Sequence, residues 1–161
     1  MADPTANEPK PMLNPFDLKA ALSAKHAQHV VLIHFPIALF IAGAAFDFLA
    51  HWTKRESLAA AAYCNFLVAA VASVPTMITG LLAWKWQLEG QRLKGTLLLH
   101  LIFGIASGTL ICVVWMIHWS ARHVQNDKLR LFCLPLEALT AVLLAVTGHL
   151  GGFLSGVNGQ G

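Results

Sequence analysis

The sequence predicts an all-α integral membrane protein, a four-helix up-down-up-down bundle with both termini on the same side. Only 12% of the 161 residues are charged and 57% are hydrophobic, whereas soluble domains carry about 25% charged residues. Residues 30–46, 57–84 and 95–121 contain no Asp, Glu, Lys or Arg, and residues 131–161 contain only Glu137. Each stretch approaches or exceeds the ~20 apolar residues that cross a bilayer.

The chain begins with a polar lead over residues 1–28. It contains Asp3, Glu8 and Asp17 among several prolines, which is unlike a signal peptide, because the apolar segment of a signal peptide begins within the first dozen or so residues. We expect a short helix over residues 16–28, lying at the membrane surface.

The four-transmembrane-helix bundle is expected over residues 29–154, followed by a C-terminal tail over residues 155–161. Tryptophans fall near several of the expected helix ends, where an aromatic belt belongs, and the short linkers require antiparallel neighbours. The predicted spans are His29–His51, Leu58–Trp84, Thr96–Trp119 and Leu131–Leu154.

The linkers define two faces of the bundle. Side A holds both termini and the second linker, and side B holds the first and third linkers. Six of the eleven Lys and Arg residues fall on side A and five on side B, so the positive-inside rule gives no orientation. The net charge of +3 is small and scattered, which argues against a nucleic-acid partner and leaves the lipid bilayer.

Three histidines on three helices are expected at nearly the same depth below side A. They are His34, His100 and His149, and polar groups at such depth generally face the bundle interior. Each stands at the end of a stripe of small residues on its own helix face. These stripes are Ala38, Ala42 and Ala45 for the first helix, Gly104 and Gly108 for the third, and Ala145, Ala141 and Ala138 for the fourth.

An imidazole beside an empty groove suits haem b, because the ring nitrogen binds iron and the missing side chains leave room for the porphyrin. We therefore expect two of the three histidines to be axial ligands, first of all His34 and His100 on diagonal helices. His149 would bond a haem propionate or a quinone, or replace one of the pair. The protein would then be a b-type cytochrome-like electron-transfer subunit of an oxidoreductase complex, exchanging electrons with quinone or a partner redox protein, without a catalytic residue of its own.

Two alternatives remain open at this stage. Three neutral imidazoles with an open fourth position also make a site for zinc, iron or copper. Small-residue stripes also let membrane helices pack closely without a cofactor, which would suit an assembly or scaffold subunit. The amount of space around the three histidines distinguishes the haem, metal-site and cofactor-free hypotheses.

Side B carries a second set of polar residues. Asp47 and His51 are four residues apart on the first helix, and Glu137 lies near the start of the fourth. Carboxylates inside membrane spans are candidates for a proton path or an ion site, although Asp47 could also only hold helices together. His118 and Cys133 are at a similar depth, and we expect the three cysteines to be packing residues and His26 and His29 to lie at the surface.

Several segments resemble one bacterial membrane family, the domain of unknown function 2231. They are HFPIALFIAGAAFDFLA, TGLLAW, LLLH and VTGHLGGFLSGVNG, and the resemblance covers about residues 29–158. It implies a four-helix protein of the bacterial inner membrane, distantly similar to two-haem b-type cytochromes, with a c-type cytochrome or another redox subunit as partner. It also implies that His34 and His100 match histidines of the family, whereas His149 precedes the glycine pair that the family's C-terminal histidine tends to follow.

Overall fold

The computed structural model describes residues 27–87, 92–124 and 127–154. These residues form four long helices, and the described part of the chain contains no strand, so the predicted fold class is confirmed. The expected surface helix over residues 16–28 lies outside the described residues except at its last two positions, and so does the tail. The helices are α1 (Ala27–Thr53), α2 (Glu56–Gln87), α3 (Gly95–Val124) and α4 (Asp127–Leu154).

All four helices are long and apolar enough to cross a membrane. Their outward faces carry large apolar side chains, among them Val31, Phe35 and Phe48, which are more than half exposed. Exposed apolar surface on every helix is what hydrocarbon chains cover in a bilayer. The chain is therefore an integral membrane protein in contact with lipid.

The helices form a closed ring in chain order. α1 packs mainly on α2 and α3 on α4, while α2 with α3 and α1 with α4 close the ring. α1 and α3 therefore stand at opposite corners. The link between α1 and α2 is tight, because Lys54 adopts a left-handed φ of 57° and its backbone N–H donates to Ala50 O at 2.8 Å, which ends α1.

An apolar belt fills the middle of the bundle. It contains Phe40, Phe66, Ile111 and Leu144, all buried, and the Phe40 and Phe66 rings lie 5.3 Å apart between centroids. Polar side chains are buried on either side of this belt. The apolar belt therefore separates a polar layer near side A from another near side B.

The helix faces that point into the bundle differ from the expected ones on α1 and α4. The prediction that their small-residue stripes face the interior is wrong for Ala38, Ala45, Ala138 and Ala145, which are exposed. The buried face of α1 instead carries Pro36, Phe40, Gly43, Asp47 and Ala50. Alanine can face lipid at no cost, whereas a carboxylate cannot, so Asp47 sets the rotation of the helix.

Candidate functional site

Side B holds a buried group of ionisable residues on three helices. Asp47 and His51 lie one turn apart on α1, and the Asp47 side chain is completely buried. The His51 ring Nδ1–H donates to the backbone oxygen of Asp47 at 3.0 Å and lies 3.3 Å from its Oδ2. Because the backbone oxygen can only accept, the hydrogen lies on His51 Nδ1, the ring nitrogen that faces Asp47.

α3 and α4 contribute a second pair beside the first. His118 Nε2 lies 2.8 Å from Glu137 Oε1, and both side chains are almost completely buried. The second carboxylate oxygen, Glu137 Oε2, is buried without a hydrogen-bond partner among the described residues. A buried acceptor without a partner costs about 1–3 kcal/mol, so this oxygen is a place where a proton or a cation would be stabilised.

Cys133 completes the group. It lies four residues before Glu137, on the same face of α4, and is a buried thiol. One donor atom from each of His118, Cys133 and Glu137 lies within 4.8 Å of the others. We call Asp47, His51, His118, Cys133 and Glu137 the carboxylate cluster.

The carboxylate cluster is electrostatically connected. Glu137 interacts with the charges of Asp47, His118 and His51, and the Phe66 ring covers His118 at 4.8 Å between centroids. Two carboxylates and two imidazoles thus share one enclosure next to the apolar belt. Buried charges are tolerated only when paired, and this set can be neutral when both imidazoles are protonated.

The polar layer near side A contains two half-buried histidines, His29 of α1 and His100 of α3, which we call the imidazole pair. His100 Nδ1–H donates to Thr147 O of α4 at 3.1 Å. His29 Nδ1 lies 3.2 Å from the Thr79 hydroxyl of α2. That hydroxyl donates its own hydrogen to a backbone oxygen of α2, so it accepts the hydrogen of His29.

Both members of the imidazole pair therefore carry their hydrogen on Nδ1 and a lone pair on Nε2. They are near enough to each other for their charged forms to repel. Each ring lies over a glycine of the neighbouring helix. A Cβ at Gly80 would lie 3.0 Å from His29 Cε1, and a Cβ at Gly151 would lie 3.1 Å from His100 Cε1.

The expected inward layer of three histidines is wrong for two of its members. His34 is exposed, and its Nδ1–H donates to Val30 O of its own helix at 2.6 Å. His149 is exposed as well, and its ring lies edge-on to Phe153 at 4.9 Å. Both histidines follow the exposed alanine stripes, so only His100 points inward.

The groove expected beside His100 is occupied. A Cβ at Gly108 would meet Met77 Sδ at 2.9 Å, and one at Gly104 would meet Thr147 Cγ2 at 3.8 Å. These glycines allow close packing of α3 against Met77 of α2 and Thr147 of α4. Haem held between His34 and His100 therefore does not fit this bundle.

The surroundings of two residues in the polar layers go beyond what their sequence-based expectations state. His29 was expected at the surface, yet it lies eighteen residues before the buried Asp47, which is five turns of helix on the same face. Cys133 is buried, as expected of a packing residue, and its spacing of four from Glu137 puts both on one face. A helix rotation that buries Asp47 also turns His29 inward, and one that buries Glu137 also turns Cys133 inward. This rule would have predicted both positions from the sequence. His26 lies outside the described residues.

The fold and these buried layers define a class, a four-helix integral membrane protein with an ionisable centre inside the bundle. Residues 25–160 match the family of predicted membrane proteins DUF2231. The chain belongs to this family, which covers most of its length. No curated protein and no solved structure matches it significantly.

Proposed function

We propose that the protein binds a transition-metal ion inside the membrane near side B, with His118, Cys133 and Glu137 as its ligands. The observation that carries this proposal is the convergence of three different donor atoms within 4.8 Å, all on buried residues. A tetrahedral zinc ion with ordinary bond lengths keeps its donors roughly 3.3–3.6 Å apart. To reach that separation, His118 Nε2 and Glu137 Oε1 would move apart from their 2.8 Å hydrogen bond, and the more distant donor pairs would close in by rotamer changes.

The donor types favour a metal of intermediate softness. An imidazole nitrogen, a thiolate and a carboxylate together suit zinc, iron or copper rather than magnesium or calcium. A divalent ion would be neutralised by the Cys133 thiolate and the Glu137 carboxylate. Its neighbours Asp47 and His51 form a second pair that is neutral when His51 is protonated, so the loaded site would bury no net charge.

Three protein ligands leave a fourth position open, as in zinc sites that bind water or a substrate. In this proposal Glu137 is held by the metal, and Asp47 and His51 move protons between the centre and side B, since His51 is the partly exposed member of the carboxylate cluster. The proposal also includes a cellular location. We place the protein in the bacterial inner membrane, where it would act as a metal-binding subunit of a larger complex.

The test is the metal content of the full chain, purified in a neutral detergent from cells grown with zinc, iron, copper and manganese. We expect about one ion per chain, retained on dialysis, and a loss of tenfold or more in Cys133→Ser and Glu137→Gln. Cys112→Ser and His123→Asn are matched controls, because neither residue belongs to the carboxylate cluster. Metal-free wild type, or a double variant Cys133→Ser/Glu137→Gln that keeps its ion, would contradict the proposal.

A second candidate is electron transfer through haem b held by the imidazole pair. It is favoured by one specific observation, that His29 and His100 each donate Nδ1–H to another helix. Histidines that ligate metals usually have such a bond, which fixes the ring and leaves Nε2 for the metal. Haem at this pair would have to displace Met77 and Thr147 from the groove beside His100. It would then supply one-electron chemistry, with a quinone, a c-type cytochrome or another redox subunit as the expected partner.

Absorption spectra of the reduced protein test this candidate separately. A b-type α band that disappears in His29→Ala and in His100→Ala, and persists in His34→Ala, would support it. A colourless wild type, purified from cells with full haem supply, would exclude it. The metal content of the carboxylate cluster is measured independently, so each candidate can fail without the other.

A further inference from the structure

A cavity of about 430 Å³ opens on side B, where α1 ends and α2 and α4 begin. Three cationic residues line it, Lys54 and Arg55 of the link and Lys128 in the first turn of α4. Among the lining residues whose side chains the structure describes, Glu56, the first residue of α2, is the single acidic one. Without counting His51, these four described residues carry a net charge of +2. We call this cavity the basic vestibule.

Helix geometry adds to the positive potential. α2 begins at Glu56 and α4 at Asp127, so two long helices direct their N-terminal ends to this region. Unpaired backbone N–H groups at such ends carry about half a positive charge and bind anions readily. Lys54 is held in place by its left-handed backbone and its N–H bond to Ala50 O. The backbone that carries Lys54 and the adjoining Arg55 is thus fixed by the end of α1.

The basic vestibule lies at the depth of lipid head groups. Trp52 and Trp119, at the side B ends of α1 and α3, are exposed by 76% and 49%, as interfacial tryptophans are. Ala59 and Leu131 give the same cavity an apolar wall. A ligand with a phosphate and an adjoining apolar part would match both kinds of surface.

The positive charge of the basic vestibule argues against its use as the entry route for the metal ion of the carboxylate cluster. A divalent cation on its way to the carboxylate cluster would have to pass three like-charged groups, which repel it. His51 connects the two regions, since it lines the cavity and also contacts Asp47. An anion in the cavity would therefore stand beside His51 of the ionisable centre.

We propose that the basic vestibule is a binding site for a phosphate group, held by Lys54, Arg55 and Lys128 at the side B interface. Two sources have this chemistry, the head group of an anionic phospholipid and free inorganic phosphate. The site is distinct from the metal centre proposed above, because none of its three cations belongs to the carboxylate cluster.

The experiment uses the full chain in a neutral maltoside detergent. Native mass spectrometry measures binding of short-chain phosphatidylglycerol against phosphatidylcholine, and ³¹P NMR line broadening measures binding of inorganic phosphate. The test variant is Lys54→Gln/Arg55→Gln/Lys128→Gln. The matched control is Arg92→Gln/Lys94→Gln, which removes exposed cations at the side A end of α3. Helix content by circular dichroism shows that each variant is folded.

We expect saturable binding of phosphatidylglycerol to the wild type, with about fivefold weaker affinity for each cation removed, since one interfacial cation contributes about 1 kcal/mol. Loss of this binding in the triple variant, with retention in the side A control, supports the proposal with lipid as the source. The same pattern for inorganic phosphate supports it with the free ion as the source. If neither ligand saturates, or if the folded triple variant binds like the wild type, the proposal is wrong.

Discussion

The two polar layers of the bundle are built from similar residues and differ in what surrounds them. In the carboxylate cluster each imidazole faces a buried carboxylate, as in the 2.8 Å contact of His118 with Glu137. In the imidazole pair each ring donates instead to a neutral oxygen, Thr79 Oγ1 for His29 and Thr147 O for His100. The layers are about 27 Å apart along α3, measured from His100 to His118.

This difference shows that the hydrogen-bond partner of a buried histidine determines which chemistry the histidine can support. A carboxylate partner stabilises the imidazolium, so the carboxylate cluster suits protons and cations. A neutral acceptor fixes the tautomer without adding charge, so the imidazole pair offers Nε2 lone pairs in an uncharged setting. The apolar belt of Phe40, Phe66, Ile111 and Leu144 keeps the two settings apart.

The largest decrease in the free energy of unfolding is expected when one partner of the buried His118–Glu137 pair is removed. His118→Ala leaves Glu137 buried without its 2.8 Å contact, and breaking such a pair costs about 3–5 kcal/mol. Equilibrium unfolding in mixed detergent micelles measures the free energy of unfolding. His123→Ala is the control, since His123 is exposed on the same helix, and a change below about 0.5 kcal/mol is expected there.

Replacing both partners of the pair separates the contribution of charge from that of packing. Because two apolar residues can replace a buried ion pair at little cost, His118→Leu/Glu137→Leu should unfold at a higher free energy than His118→Ala, yet bind no metal. A double variant as unstable as His118→Ala would mean that the pair acts through packing rather than through charge.

The next largest decrease in the free energy of unfolding is expected from a substitution that disturbs the apolar belt. A Cβ at Gly43 would lie 2.9 Å from both Cδ1 and Cε1 of Phe66, a buried ring that also covers His118. Overpacking of this kind costs about 1–3 kcal/mol, so we expect Gly43→Ala to lower the free energy of unfolding by about 2 kcal/mol. Metal content should fall with it, while the imidazole pair is undisturbed. Gly148→Ala is the matched control, since nothing lies within 4 Å of its added Cβ.

A smaller effect is expected beside the imidazole pair. A Cβ at Gly151 would lie 3.1 Å from His100 Cε1 and would push the ring away from Thr147 O, weakening a hydrogen bond that contributes about 1 kcal/mol. Gly151→Ala should therefore be about 1 kcal/mol less stable than Gly148→Ala, which gains helix propensity without a clash. Equal free energies of unfolding for the two variants would show that the His100 ring is not held against Gly151.

The sequence alone predicts the four helices, their antiparallel order and the polar residues of side B. Uncharged stretches and short linkers are strong signals, and Asp47, His51 and Glu137 stand out because carboxylates are costly in hydrocarbon. The predicted rotation of α1 and α4 is wrong, because it places the alanine stripes on the inner faces of these helices, where the structure exposes them. Apolar periodicity carries little rotational information here, because both the lipid and the bundle interior accept alanine.

The carboxylates carry the rotational information that alanine lacks. If Asp47 faces inward, five turns of α1 place His29 inward too and turn His34 toward lipid. The contacts of His29 with Thr79 and Gly80 lie on other helices, and no pattern within α1 predicts them. Pairing between helices depends on how the four rotations combine, which a single sequence does not specify.

The smallest expected effect tests that rotation directly. His29→Ala removes the hydrogen bond to Thr79 of α2 and should lower the free energy of unfolding by about 1 kcal/mol. His34→Ala removes an exposed ring bonded only within its own helix, so a change within about 0.5 kcal/mol is expected. Both variants remove one imidazole from α1 near side A, which makes each the control for the other. If His34→Ala were the more destabilising of the two, α1 would be rotated with its alanine stripe inward, and the imidazole pair would be His34 and His100.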